Sequence, residues 1–200
     1  MHRNCYRVRH GRPTPVTSIL HLQLAVAALA AGGVIACPTE AVWGLSCDPF
    51  DGRAVQRLLQ LKQRPVRKGL ILVAASEEQL DFLLTGLPGS QRGQLTASWP
   101  GPNTWLVPHR GRIPAWVHGE HDTVAVRVSG HPVVRALCSL WGGPLVSSSA
   151  NRAGARPPRE AYQVRRFFGE QLDYILPGAV DHGARPSIIR DLASGQVLRA

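Results

Sequence analysis

Hydrophobic and polar positions alternate along this chain in short blocks of two periods. Residues 19–31 are almost wholly apolar, with Thr17 and Ser18 ahead of them to cap a helix and Gly32-Gly33 behind to end it. A short buried strand is expected at 34–37. Asp51 can cap a second helix over 52–63, in which Val55, Leu58, Leu59 and Leu61 form one apolar face. The unbroken apolar run 70–75 predicts a central strand, and Ser76 with Gln79 predicts a capping box for a helix near 77–84. The Pro/Gly-rich segment 99–102 reads as a rigid turn into a strand over 104–108, followed by a loop over 109–121. Alternation over 123–128 predicts a strand that carries Arg127. A helix at 131–141, a strand at 144–148, a Gly/Pro/Arg-rich loop at 151–158, a helix at 159–169 and strands near 173–176, 187–192 and 196–199 complete the pattern. Strands alternating with helices predict an α/β fold: a single domain over 17–200 with a twisted mixed β-sheet flanked by helices and an open basic cleft. Residues 1–16 are rich in Arg and His and lack an apolar core, so they read as a disordered basic arm and not as a secretory signal.

Composition adds a charge. The 200 residues contain 23 Lys+Arg against 13 Asp+Glu, a formal net charge of +10, which favours nucleic acid or phosphate-rich ligands. Lysine occurs only at 62 and 68, within one short segment. The longest apolar run, 22–34, includes Gln23 and two glycines and is too short to span a bilayer, so no membrane partner is expected. Cys5, Cys37, Cys47 and Cys138 form no C-x-x-C pair and the histidines have no metal-ligand spacing, so no dedicated metal site is expected. Cys37 and Cys138 lie in apolar runs as small buried hydrophobes, and a reducing cytoplasm fits that usage.

Three segments carry candidate chemistry. Pro38-Thr39-Glu40 follows a strand directly; proline stiffens the exit, and Thr39 would present a hydroxyl where α/β proteins gather ligands, although the tripeptide alone also reads as a plain turn. Lys62, Arg64, Arg67 and Lys68 place four positive charges ahead of and behind Pro65, which suits a clamp on a nucleotide phosphate and equally suits a solvated helix end. Ser147-Ser148-Ser149-Ala150-Asn151 follows a buried run and offers small donors to an oxyanion or phosphate, or else caps a loop. Neither a P-loop nor a Gly-x-Gly-x-x-Gly element is present. Cys47 beside Asp48 is the one candidate nucleophile, with no histidine near in sequence.

Taken together, Pro38-Thr39-Glu40-Ala41-Val42-Trp43-Gly44-Leu45, Lys62-Gln63-Arg64-Pro65 with 68–72, 99–104, 124–128, 147–151 and 186–189 resemble the threonylcarbamoyl-AMP synthase family, short bacterial form, over about residues 19–200. The resemblance implies a nucleotidyltransferase that joins L-threonine, bicarbonate (or CO2) and ATP into threonylcarbamoyl-AMP and pyrophosphate, the first step of tRNA threonylcarbamoyladenosine modification. It implies Lys62 and Arg64 as catalytic residues; Thr39, Arg127, Ser147 and Ser187 on threonine; and Lys62, Arg64, Thr123, Ser149 and Asn151 on ATP. It implies Mg2+ arriving with the nucleotide, a threonylcarbamoyl transferase complex as partner, and tRNA or other RNA as a further partner. Trp43 stands where Tyr or Phe is usual, which would narrow the pocket, and Ser148 stands where Thr is common. The alternative is a basic RNA-binding module without chemistry.

Overall fold

The computed structural model describes residues 17–199; the basic arm expected at 1–16 lies outside the described residues. Helix α1 (Ile19–Ala30) starts at Ser18, whose Oγ accepts from the His21 amide, and stops before Gly32 at φ +76°. Strands β1 (Ile35–Pro38) and β2 (Trp43–Ser46) form a hairpin. Helix α2 (Gly52–Lys62) is capped by Asp51, whose Oδ1 accepts from the amides of Arg53 and Ala54 at 2.9 and 3.2 Å. Then come β3 (Ile71–Ala74), the single turn α3 (Asp81–Leu84), α4 (Gly89–Ser98), β4 (Asn103–Pro108), the single turn α5 (Ala115–His118) and β5 (Thr123–Val128). The remainder is α6 (Pro132–Trp141), β6 (Leu145–Ser149), α7 (Ala161–Phe168), β7 (Tyr174–Ile175), β8 (Ile188–Asp191) and β9 (Val197–Arg199).

The strands form one nine-stranded mixed sheet in the order β7-β1-β2-β6-β3-β5-β4-β8-β9. Period-two alternation divides its side chains between two cores. Ile35, Cys37, Val73 and Ala75 pack on the face covered by α1 and α6, with Leu22, Leu29, Val134 and Leu137. Ala36, Leu45, Leu72 and Ala74 pack on the opposite face, with Val55 and Leu58 of α2, Leu84 of α3, Leu95 of α4 and Phe168 of α7. Cys37, Cys47 and Cys138 are buried, as small hydrophobes would be. Among the described residues no helix is long and apolar enough to cross a membrane.

Four features depart from the sequence expectation. Residues 43–46, where the pattern predicts no strand, form β2, in which Gly44 pairs with Ser149 of β6. Gln79 does not complete a capping box; its Oε1 accepts from the Ala75 amide and its Nε2 donates to the Cys138 carbonyl, and the expected helix at 77–84 is a 3-10 turn, Glu78–Leu80, followed by α3. Helix α4, with Leu95 as its one buried residue, has no apolar stripe to announce it. The expected loop at 109–121 contains α5, whose Val117 is buried.

Candidate active site

Four elements deliver side chains to one cleft at the ends of central strands. The β1–β2 turn is closed by the Val42 carbonyl, which accepts from the Thr39 amide at 3.1 Å and from Thr39 Oγ1 at 2.6 Å. Next to it runs β6, antiparallel to both β2 and β3, which places Ser147 opposite Ile71. Gly44 leaves room at this crossing: a Cβ there would come within 3.2 Å of Thr39 Cγ2, close enough to displace it slightly, and 3.7 Å of Ser147 Oγ. Strand β5 supplies Arg127, in register with Val73. Beyond it, Thr104 of β4 donates from Oγ1 to Ser187 Oγ at 2.9 Å in a fully enclosed contact that fixes the start of β8.

These residues line a cavity of about 350 Å³ that contains Thr39, Glu40, Arg64, Arg127, Ser147, Ser149, Arg185, Ser187 and Arg199. A second chamber of about 300 Å³ adjoins it, shares Arg64, Leu70, Ile71 and Arg199, and extends to His118, His121 and Thr123. Of the sequence-predicted residues, Thr39, Arg64, Arg127, Ser147, Ser149 and Ser187 therefore meet in the first chamber and Thr123 lines the second.

Lys62 and Asn151 line neither chamber. Helix α2 ends with Lys62 turned inward and only 4% exposed, its ammonium donating to the carbonyls of Ser149 and Asn151. Gln63 then adopts φ +52°, which reverses the chain and sends Arg64 the other way. Arg64 donates from Nε and Nη2 to the Gly69 carbonyl, at 3.2 and 2.8 Å, and lines both chambers. The expected paired clamp is thus divided: one cation braces β6 from below, the other faces the cavity. Burial, helped by Arg64, pushes the Lys62 pKa down to about 8. Asn151 donates from Nδ2 to the carbonyls of Arg152 and Ala155, shaping the loop after β6, and its buried Oδ1 has no hydrogen-bond partner.

The Arg127 guanidinium is 8% exposed and faces Glu40 across 3.3 Å, Nη2 to Oε2. Glu40 Oε1 accepts from Ser129 Oγ at 2.8 Å and from the Gly130 amide at 3.1 Å. Burial alone would raise the Glu40 carboxyl; Arg127 and these hydrogen bonds outweigh it and hold the group below the usual carboxylate range. Arg64 is lowered by burial and then by Arg199. Cys47 carries no chemistry: burial, with Asp48 and Asp51 nearby, pushes its thiol far up. Trp43 is 1% exposed in the core and does not line the cavity, so the expected narrowing does not arise.

Sequence reasoning missed Glu40, Arg185 and Arg199 as lining residues. Glu40 sits inside the Thr39 motif, and Arg185 just ahead of Pro186-Ser187, so proximity was a usable signal; Arg199 reaches the cleft only because β9 folds back on β8.

A mixed α/β sheet whose strand ends present hydroxyls and arginines to a two-chambered cleft defines a binder of small anionic molecules. The chain belongs to the Sua5–YciO–YrdC family, whose model, described as "Telomere recombination", matches residues 27–200. It is 59% identical over 169 residues to the threonylcarbamoyl-AMP synthase of Stutzerimonas stutzeri, covering 84% of this chain and 91% of that one. It is 56% identical over 182 residues to the synthase of the same name from Pseudomonas aeruginosa, covering 91% and 98%. The crystal structure of P. abyssi Sua5 complexed with L-threonine superposes with a TM-score of 0.81 at 32% identity; the match covers 88% of this chain and 52% of that one, so this chain spans about half of that Sua5. E. coli YciO shares the fold with a TM-score of 0.79 at 24% identity over 90% of this chain and 88% of its own.

Proposed function

We propose that this protein is an L-threonylcarbamoyladenylate synthase that makes threonylcarbamoyl-AMP from L-threonine, bicarbonate and ATP. The observation that carries the reading is the convergence of Thr39, Arg127, Ser147 and Ser187, from separate elements, on one chamber of the cleft. A buried guanidinium is a strong partner for an amino-acid carboxylate. Thr39, Ser147 and Ser187 are the hydroxyls available to a substrate hydroxyl. The adjoining chamber, with Thr123 and more apolar walls, takes the nucleoside, which leaves the phosphates at the shared Arg64 and Arg199 beside Ser149.

The reaction then runs across the junction. An oxygen of the N-carboxylated threonine forms a bond to the α-phosphorus as the bond from that phosphorus to the bridging oxygen breaks, and pyrophosphate leaves with the electron pair. Catalysis of this kind is mostly positioning and charge neutralisation. Arg64 supplies charge at the junction; Lys62 holds the Ser149 end of β6 in place and adds a second positive charge beneath it. Mg2+ would enter held by the nucleotide's phosphates, the strongest oxygen donors at the junction. The product is consumed at tRNA by a transferase partner, in the cytoplasm.

The test is pyrophosphate release from purified protein, measured with each substrate omitted in turn. Release that requires both threonine and bicarbonate supports the synthase. Release without threonine, or none at all, overturns it.

A further inference from the structure

Glu40 is out of place in a cavity built for anions. Among the described residues it is the one carboxylate lining a chamber that Arg64, Arg127, Arg185 and Arg199 also line. A phosphate or a substrate carboxylate gains nothing from it. Nor is it there only as Arg127's counter-ion by default, because the chain invests in it separately: Ser129 Oγ and the Gly130 amide both hold Oε1, and the Glu40 carbonyl accepts from the Asp181 amide at 2.8 Å. With Oε1 fixed, Oε2 is left buried with no hydrogen-bond partner, 3.3 Å from Arg127 Nη2. A carboxylate oxygen held by an ion pair alone, with no hydrogen bond of its own, keeps lone pairs for a second charged donor.

We infer that Glu40 recognises the α-amino group of the amino-acid substrate, its Oε2 accepting from the ammonium while Arg127 takes the carboxylate one carbon away. This rests on the synthase reading above. A fixed Arg–Glu pair and a free amino acid are both zwitterions, and laid antiparallel each charge faces its opposite. The same carboxylate then orders the next step: the ammonium loses one proton to solvent, the free amine adds its lone pair to the carbon of CO2 and loses a second proton to give the carbamate, and Glu40 repels the new negative charge while Arg64 and Arg199 at the chamber junction attract it toward the α-phosphate.

The experiment compares binding of L-threonine with that of its 2,3-dihydroxybutyrate analogue, which keeps the carboxylate and β-hydroxyl and replaces the amino group by hydroxyl. Calorimetric titrations are run on wild type, Glu40→Gln and Glu40→Asp. Gln keeps an acceptor for Ser129 and Gly130 and removes only the charge. Wild type should prefer threonine by roughly 10- to 100-fold, the worth of one charge-assisted hydrogen bond. Glu40→Gln should lose most of that preference while binding the hydroxy acid at least as well as wild type does; Glu40→Asp should keep part of it. Equal loss for both ligands in Glu40→Gln would make Glu40 only a support for Arg127 and overturn the assignment, as would a preference that survives the substitution. Equal binding of the two ligands by wild type overturns it even if neither variant folds. No threonine binding to wild type, with no threonine-dependent pyrophosphate release, overturns the synthase reading instead.

Discussion

The Lys62 ammonium donates to the Ser149 carbonyl and, at 3.0 Å, to the Asn151 carbonyl, so the last side chain of α2 holds the strand end that lines the cavity. Removing it has two costs. The part-buried Asn151 carbonyl loses its lysine donor and the Ser149 carbonyl keeps only the Asn151 amide at 2.8 Å, about 1–3 kcal/mol of stability. The transition state loses a positive charge and the placement of Ser149, on the order of 2–4 kcal/mol. Lys62→Ala is therefore expected to unfold at lower urea and to release threonine-dependent pyrophosphate roughly 30- to 1000-fold more slowly. Near-normal rates in a folded Lys62→Ala protein would remove Lys62 from the machinery.

The same lysine sets a pH limit. Burial lowers its pKa from 10.5 to about 8, so the free enzyme loses this charge as pH rises through 8. The specificity constant for ATP should fall about tenfold per pH unit above that point, and Lys62→Arg should remove this descending limb or move it to higher pH. Stability moves the other way. Below about pH 8 lysine is charged in both the folded and the unfolded chain and the burial penalty is complete; between 8 and 10.5 only the unfolded chain holds the proton, so this group's contribution to stability rises with pH. A rate that stays flat to pH 10 would show that the charge is not used.

Legibility from the sequence follows the strength of each local pattern. Strand β5 is read at its true bounds, 123–128, because apolar and polar residues alternate along it. Strand β2 is hidden: Trp43–Ser46 is buried on both faces, and its glycine mimics a turn until the partner strand β6 is known. Arg127, Ser147 and Ser149 are legible because each ends or occupies a readable strand. Lys62 is legible as a charge but not as a direction, since the reversal at Gln63 is made by an αL residue that is not glycine. Arg199 has no local signal at all; only the long-range pairing of β8 with β9 brings it to the cleft.

Gly44 tests the threonine chamber without removing a polar group. Its would-be Cβ contacts Thr39 Cγ2 at 3.2 Å, close enough that Thr39 must give by a few tenths of an ångström. Gly44→Ala should raise the KM for threonine several-fold, about 3- to 30-fold, and leave the KM for ATP within about twofold, since small misplacements are costly only at the group displaced. Equal effects on both substrates would mean that the strand as a whole has shifted.

Hydroxyl selection gives a substrate-side test. Thr39 Oγ1 already donates to the Val42 carbonyl, so toward a ligand it acts as an acceptor. An analogue without the hydroxyl leaves buried polar groups unpaired, which such sites penalise strongly. L-Serine should be used more weakly than L-threonine, and 2-aminobutyrate should be nearly inert, at least 100-fold lower in specificity constant, about 2.7 kcal/mol. Comparable constants for threonine and 2-aminobutyrate would show that the hydroxyl is not read.

A net charge of +10 predicts salt-dependent RNA binding. Arg67, Lys68, Arg152 and Arg156 are exposed, and each lies on a segment that also sends a residue to the cavity, Arg64 on one side and Pro157 on the other. Contacts of this kind are made to phosphates, so binding should be weakly sequence-selective and steeply salt-dependent. Four phosphate contacts on single-stranded tRNA regions would give a log-log salt slope of about −3, so affinity should fall roughly 60-fold between 50 and 200 mM salt. Titrating unmodified tRNA against the full chain and a chain lacking residues 1–16 separates two origins. If Arg67→Ala with Arg156→Ala flattens the slope in both, the cleft rim binds RNA. If the truncated chain binds nothing even at low salt, the charge that matters is in the arm (Arg3, Arg7, Arg9 and Arg12), and the synthase then needs only the phosphates of ATP at its cleft.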